Sequence, residues 1–196
     1  ERVRNIEREI ERLFETHGCS CPSFPGECIV LGPNSGPIFG MNYDKIEKGY
    51  TVAFDFGGMY QGYCSAMTRT VAVGYATEEM KKVYDTVLEA QKAGIAMTKA
   101  GVTGAQVDGA ARKVITDAGY GEYFGHSYGH GVGLEIHEGP NMSFRYLKEI
   151  PAGAVTSAEP GIYLPGKFGV RIEDVTIVTA DGCEDITNLP KDLLII

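Results

Sequence analysis

Glycine occupies positions 125, 129, 131 and 133, on either side of a single histidine, His130, and a second histidine, His137, follows seven positions later. Glycine lets backbone approach a ligand closely and adopt conformations closed to other residues. An imidazole is the commonest neutral metal ligand and the usual side chain for proton transfer near pH 7. The fold must therefore present this backbone at close quarters with imidazoles at hand. Three acids join them: Asp55 opens Asp55-Phe56-Gly57-Gly58 and Glu159 lies in Ala158-Glu159-Pro160-Gly161, both punctuated by glycine, and Glu173 lies in Arg171-Ile172-Glu173-Asp174. Each has an ordinary alternative, a turn former for Asp55 or a strand-end surface carboxylate for Glu159. Taken together, one His and several carboxylates are expected to converge on a divalent cation. A buried carboxylate is costly alone and tolerable beside a cation. One His and two Glu make a three-ligand site with a position left for water, and His137 and His126 would stand near the same water or substrate.

The chain of 196 residues is 43% hydrophobic and 22% charged, which suits one globular domain, and its 26 glycines imply many turns and close contacts. A formal charge of −8 argues against a nucleic-acid partner. No apolar run is long enough to span a bilayer. Five cysteines at irregular spacing (19, 21, 28, 64 and 183) make no disulfide framework. Cys19, Cys21 and Cys28 could belong to a zinc site, but no fourth ligand follows at finger-like spacing, so reduced thiols in a cytoplasmic protein are the expectation.

Apolar residues at 3, 6, 10, 13 and 14 predict an amphipathic helix over 1–17, stopped by Gly18. Segment 28–31 is short and apolar, and 32–37 is a loop. Strands are expected over 50–56, with Asp55 near the end, over 60–66 and over 68–74. Two helices follow. One covers 77–99, with Met80, Val83, Tyr84, Val87 and Leu88 on one side. The other opens on Thr103 with Gln106 three residues later, a capping box, and stops at Gly119. Segments 125–136, 155–163 and 170–178 read as strand and loop, and the apolar tail 193–196 is expected to dock as an edge strand. The fold class is α+β, with helices on one face of a curved, mostly antiparallel sheet.

These motifs, in order, resemble those of the pita-bread metallopeptidases, the group that holds methionine aminopeptidase, Xaa-Pro aminopeptidase, Xaa-Pro dipeptidase and creatinase. The resemblance rests on Gly32-Pro33-Asn34-Ser35, Asp55-Phe56-Gly57, the run 62–70, the run 126–134, His137-Glu138-Gly139-Pro140, the run 159–163 and Gly169-Val170-Arg171-Ile172-Glu173. His126 ahead of Gly-His-Gly, and Tyr163 after Glu-Pro-Gly, are similar to the Xaa-Pro branch. The resemblance implies metal ligands at Asp55, His130, Glu159 and Glu173. It implies substrate-binding and proton-transferring imidazoles at His126 and His137, and Glu159 as the carboxylate that manages the water's proton. Thr68, Arg171 and Tyr163 would support them, Thr68 and Arg171 by orienting ligands. The implied reaction is metal-dependent hydrolysis of the amide before proline in a peptide or dipeptide. The implied cofactor is manganese, with cobalt, zinc or iron as alternatives. The chain is expected to be the carboxy-terminal, catalytic-type domain of a longer protein, with a homodimer as one arrangement.

The chain departs from the family pattern at two positions. Ala66 stands where the pattern has an Asp that bridges two metals, and an alanine side chain offers no lone pair. One ion or none is then expected rather than two, with impaired activity. Phe39 falls at or beside a His that helps stabilise the tetrahedral intermediate, and losing such a donor costs on the order of 10² in rate. A non-catalytic domain that binds peptides or partners is the alternative. A metal-independent, creatinase-like site is disfavoured by the many acids retained.

Overall fold

A computed structural model of the chain describes residues 2–25, 28–32 and 45–196. The Pro33-Asn34-Ser35 motif and Phe39 lie outside the described residues. Three α-helices occur among them: α1 (Val3–Thr16), α2 (Glu78–Met97) and α3 (Gly104–Asp117). Their ends follow local chemistry. Gly18, just past α1, takes φ +88°, a left-handed conformation that ends a helix at little cost. The Thr77 hydroxyl accepts the Met80 N–H at 3.1 Å to cap α2. At α3 the capping box forms as expected: Gln106 N–H donates to Thr103 Oγ1 at 3.2 Å, and Thr103 N–H donates to Gln106 Oε1 at 2.8 Å. Such a cap contributes about 1 kcal/mol.

The strands form two main sheets. One runs in the order Leu194–Ile195, Met67–Ala72, Thr51–Phe56, Cys28–Leu31. The other runs Cys183–Asp185, Asp174–Val178, Val155–Ala158, Gly129–Gly131, Glu138–Met142. A hairpin of Gly161–Leu164 and Phe168–Arg171 lies along the chain between Val155–Ala158 and Asp174–Val178 of the second sheet and bonds to the first: Thr51 Oγ1 donates to the Gly169 carbonyl at 2.7 Å, and Thr70 Oγ1 to the Arg171 carbonyl at 2.8 Å. Among the described residues every strand pairing is antiparallel except the edge pairing of Leu194–Ile195 with Val71 and Ala72. The apolar tail therefore docks as its composition suggested.

Two-residue periodicity sorts side chains between core and site. In Thr51–Phe56, Val52 and Phe54 pack with Val3, Ile6 and Val71 under α1, while Ala53 packs with Leu31 and Tyr163 on the opposite face. Asp55 shares that face with Ala53. From the hairpin onward, Ile162, Val170 and Ile172 join the large core built on Met80, Val83, Val87, Val107 and Ile115 of α2 and α3. The alternate residues Tyr163, Arg171 and Glu173 turn away from this core. The helices thus cover the outer faces and leave an inner face for polar groups.

The strand expected over 60–66 does not form. Tyr60 and Tyr63 exchange two backbone hydrogen bonds (2.9 and 3.0 Å) around Gln61 (φ +51°) and Gly62 (φ +85°). Two successive positive φ values are the signature of a tight hairpin turn. Composition rich in tyrosine pointed to a strand, but Gly62 makes the turn. Within 125–136 only Gly129–Gly131 is strand, and Glu138–Met142 supplies its neighbour.

Candidate metal centre and peptide cavity

Strand register assembles the site. Asp55 lies opposite Thr68 in the antiparallel pair, and Thr68 lies opposite Glu173 through hydrogen bonds of 3.3 Å (Thr68 N–H to Glu173 O) and 3.0 Å (Glu173 N–H to Thr68 O). Three residues far apart in sequence thus form one row. On the other sheet, His130 sits mid-strand, and its N–H donates to Ser157 Oγ at 3.0 Å. Glu159 follows two residues after Ser157, with its N–H held by the Tyr128 carbonyl at 2.7 Å. The glycines flanking His130 serve this packing. A Cβ on Gly129 would lie 2.1 Å from the Ser157 carbonyl oxygen, and one on Gly131 would lie 2.5 Å from the Gly139 oxygen. They admit neighbouring strands rather than a ligand, and neither takes a positive φ.

His130, Glu159 and Glu173 each place a ligand atom within 4.8 Å of the others. This trio is the one group of its kind among the described residues. His130 Nε2 lies 2.9 Å from Glu159 Oε1, and Ser157 Oγ donates to the same oxygen at 3.1 Å. Glu173, 2% exposed, accepts from Thr68 Oγ1 at 2.8 Å. Asp55 is not one of the trio, and its Oδ2 is taken by Arg171 Nη2. Arg171 also donates to Tyr163 Oη at 3.1 Å and to Thr68 Oγ1 at 3.3 Å, and Tyr163 Oη lies 2.9 Å from His126 Nε2. His126, His130, His137, Glu159 and Arg171, with Ser127, Gly129 and Asn141, line a cavity of about 230 Å³. The His137 and His130 rings meet edge-on, with centroids 4.3 Å apart. Every candidate named from the sequence and lying within the described residues thus belongs to one connected network. Ser157 and Asn141 were not singled out. Ser157 lies on the same strand face as Glu159 two residues on, a spacing that carries meaning only once the strand is known.

The electrostatics show a surplus of buried negative charge. Burial, then the charges of Glu159 and Asp55, push the Glu173 carboxyl well above the usual range. Burial likewise raises the Asp55 carboxyl, against the pull of Arg171. Burial would also raise Glu159, but the hydrogen bond and charge of His130, with His126 and Arg171, bring it down to about 2. Burial lowers His130, yet Glu159 and the Gly131 carbonyl outweigh it and the ring is raised. His126 is lowered, chiefly by burial, and His137 by burial and then by His130. A divalent cation among the trio would remove this conflict. The ring orientation suits one: His130 Nδ1 donates to the Gly131 carbonyl at 3.0 Å, so Nε2, which faces Glu159, is the nitrogen that would give up its proton to a cation. The donor set therefore fits a metal.

The chain superposes on the Xaa-Pro dipeptidase from Bacillus anthracis with a TM-score of 0.95 and 46% identity, covering 100% of this chain and 55% of that one. It superposes on the X-Pro aminopeptidase from Thermotoga maritima with a TM-score of 0.94 and 41% identity, again covering 100% and 55%. Its fold is the pita-bread fold. Residues 2–180 match the family described as metallopeptidase family M24, and the chain belongs to that family. It is 42% identical over 192 residues to a protein of Pyrococcus horikoshii named Xaa-Pro dipeptidase, covering 97% of this chain and 54% of that protein. The chain thus spans about half the length of the curated relatives it matches. Among the described residues no helix is long and apolar enough to cross a membrane.

Proposed function

We propose that this chain is the catalytic-type domain of an Xaa-Pro peptidase, a metal-dependent hydrolase of the amide bond that precedes proline. The observation that carries this reading is the convergence of His130, Glu159 and Glu173 within 4.8 Å, with His130 and Glu159 lining a cavity also lined by His126 and His137 and with Glu173 buried behind it. Membership of metallopeptidase family M24 and relatives named for Xaa-Pro substrates support it. His130, Glu159 and Glu173 would hold the ion; when bound, it supplies acidity to a water and polarises a carbonyl. Manganese suits a donor set with two carboxylates and one imidazole. Ala66, with no ligand atom, limits the site to one ion.

The chain's own residues handle position and protons. Glu159, ionised and oriented by Ser157 and His130, is the acceptor for a proton leaving water at the cavity. His126 Nδ1 donates to the Ser127 carbonyl at 2.8 Å, so its Nε2 accepts from Tyr163 Oη, which in turn accepts from Arg171. This directed chain holds His126 neutral in one tautomer, facing the peptide. His137, less buried and also lowered, offers a second neutral imidazole that can take up or release a proton. A cytoplasmic setting agrees with the free thiols of Cys19, Cys21, Cys64 and Cys183.

A second reading is a domain that binds Xaa-Pro peptides without cleaving them. The engagement of Asp55 by Arg171, apart from the trio, favours it. Ala66→Asp separates the two. Under the hydrolase reading, elemental analysis of the Mn²⁺-equilibrated variant shows more bound metal than the parent, and turnover of an Xaa-Pro dipeptide rises. A variant that gains no metal and no turnover, yet still binds the dipeptide, overturns the hydrolase in favour of the binding domain.

A further inference from the structure

The segment that carries His126 has no strand or helix of its own. Between the short helix Gly121–Tyr123 and the strand Gly129–Gly131 the backbone makes no ladder, so its polar groups need partners from elsewhere. One ion pair on α3 supplies them. Asp108 is completely buried, and its carboxylate takes Arg112 in a two-pronged grip, Nε to Oδ2 at 2.7 Å and Nη2 to Oδ1 at 3.0 Å. The guanidinium then donates outward to the Phe124 carbonyl at 2.9 Å and the His126 carbonyl at 2.8 Å. Asp108 Oδ1 accepts the Tyr128 N–H at 3.0 Å. Residues 124, 126 and 128 are thus strapped to one rigid pair. The Phe124 ring lies 4.1 Å from the guanidinium carbon and meets the His126 ring edge-on at 5.1 Å, so the strap also sets the neighbour on which the imidazole rests.

Resting on the reading of the cavity as a peptide site, we infer that Asp108 and Arg112 are positioning residues for His126. They fix where its imidazole enters the cavity and so govern how tightly an Xaa-Pro peptide is held. They touch none of the trio. Lysine at 112 keeps the charge opposite Asp108 but cannot grip two carboxylate oxygens and two carbonyls together, because its ammonium is a single point on a flexible stem.

The test compares the parent, Arg112→Lys, His126→Ala and the double variant. Expected for Arg112→Lys is an affinity for an Ala-Pro dipeptide lowered about tenfold, the scale of losing one well-placed hydrogen bond. Mn²⁺ stoichiometry stays at the parent value, and the double variant binds no more weakly than His126→Ala alone. Losses that add, or an unchanged affinity beside a lowered melting temperature, would reduce the pair to a structural prop and overturn the inference. A second readout does not depend on the protein being a peptidase. With four histidines in the chain, single-site variants assign the ring resonances. Arg112→Lys should move those of His126 and leave His17, on the distant end of α1, in place. Unmoved His126 resonances overturn the inference even if no peptide binds at all, whereas moved resonances in a protein that binds no peptide count against the peptidase reading alone. Should Arg112→Lys fail to fold, Asp108→Asn reads the same way: its amide oxygen still accepts Tyr128 while the grip on Arg112 is halved.

Discussion

Thr68→Val isolates one hydroxyl at the centre of the network. The side chain is fully buried, and valine keeps its shape and its preference for a strand. What disappears is the 2.8 Å donation to Glu173 Oε2 and the weaker 3.3 Å acceptance from Arg171 Nε. A buried polar atom left without its partner costs about 1–3 kcal/mol. For a chain of this length about 2 kcal/mol corresponds to roughly 4–8 °C in melting temperature. The effect on metal should be larger in proportion, because the hydroxyl orients a ligand oxygen and such partners are worth about 10–100-fold in affinity. Calorimetric melting without metal and Mn²⁺ titration of the folded protein measure the two effects separately. Thr68→Ser, which restores the hydroxyl, should recover most of the metal affinity. A valine variant that melts within a degree of the parent and binds Mn²⁺ equally well would show that Thr68 does not support Glu173.

Two further outcomes follow from the same geometry. The Glu173 carboxyl lies well above its ordinary value, so without metal its contribution to stability is full below the unfolded range near 4.5 and is lost as pH rises. A cation needs the carboxylate and displaces this proton. Stabilisation by Mn²⁺ should therefore grow as pH rises above the ordinary carboxylate range, and the calorimetric binding enthalpy should vary with buffer ionisation; an enthalpy independent of buffer would refute proton release. Gly129→Ala should lower the melting temperature by several degrees and weaken Mn²⁺ binding together. The new methyl would sit 2.1 Å from the Ser157 oxygen, between the strands that carry His130 and Glu159, and overpacking of this kind costs about 1–3 kcal/mol. Unchanged melting and metal affinity would show that the strands can move apart freely.

The sequence by itself determined whatever depends on neighbours along the chain. The Thr103–Gln106 capping box, the stop at Gly18, the inward stripe of α2 and the alternation that puts Arg171 and Glu173 opposite Val170 and Ile172 all follow from spacings of a few residues. Most of the acids and imidazoles could be nominated for the same reason, since the glycine-rich contexts of Asp55, His130 and Glu159 are local. The hairpin turn at Gln61-Gly62 escaped because glutamine rarely takes a positive φ, and tyrosines flanking it imitate a strand. Only the tertiary structure decided which carboxylate meets which cation. Asp55 is taken by Arg171 across 116 residues, while Glu173 joins His130 and Glu159. It also decided that the glycines beside His130 admit neighbouring strands, and that α3 reaches over to hold the His126 segment. The physical reason is register: a one-residue slip between strands turns every side chain to the other face, and only the assembled sheets set that register.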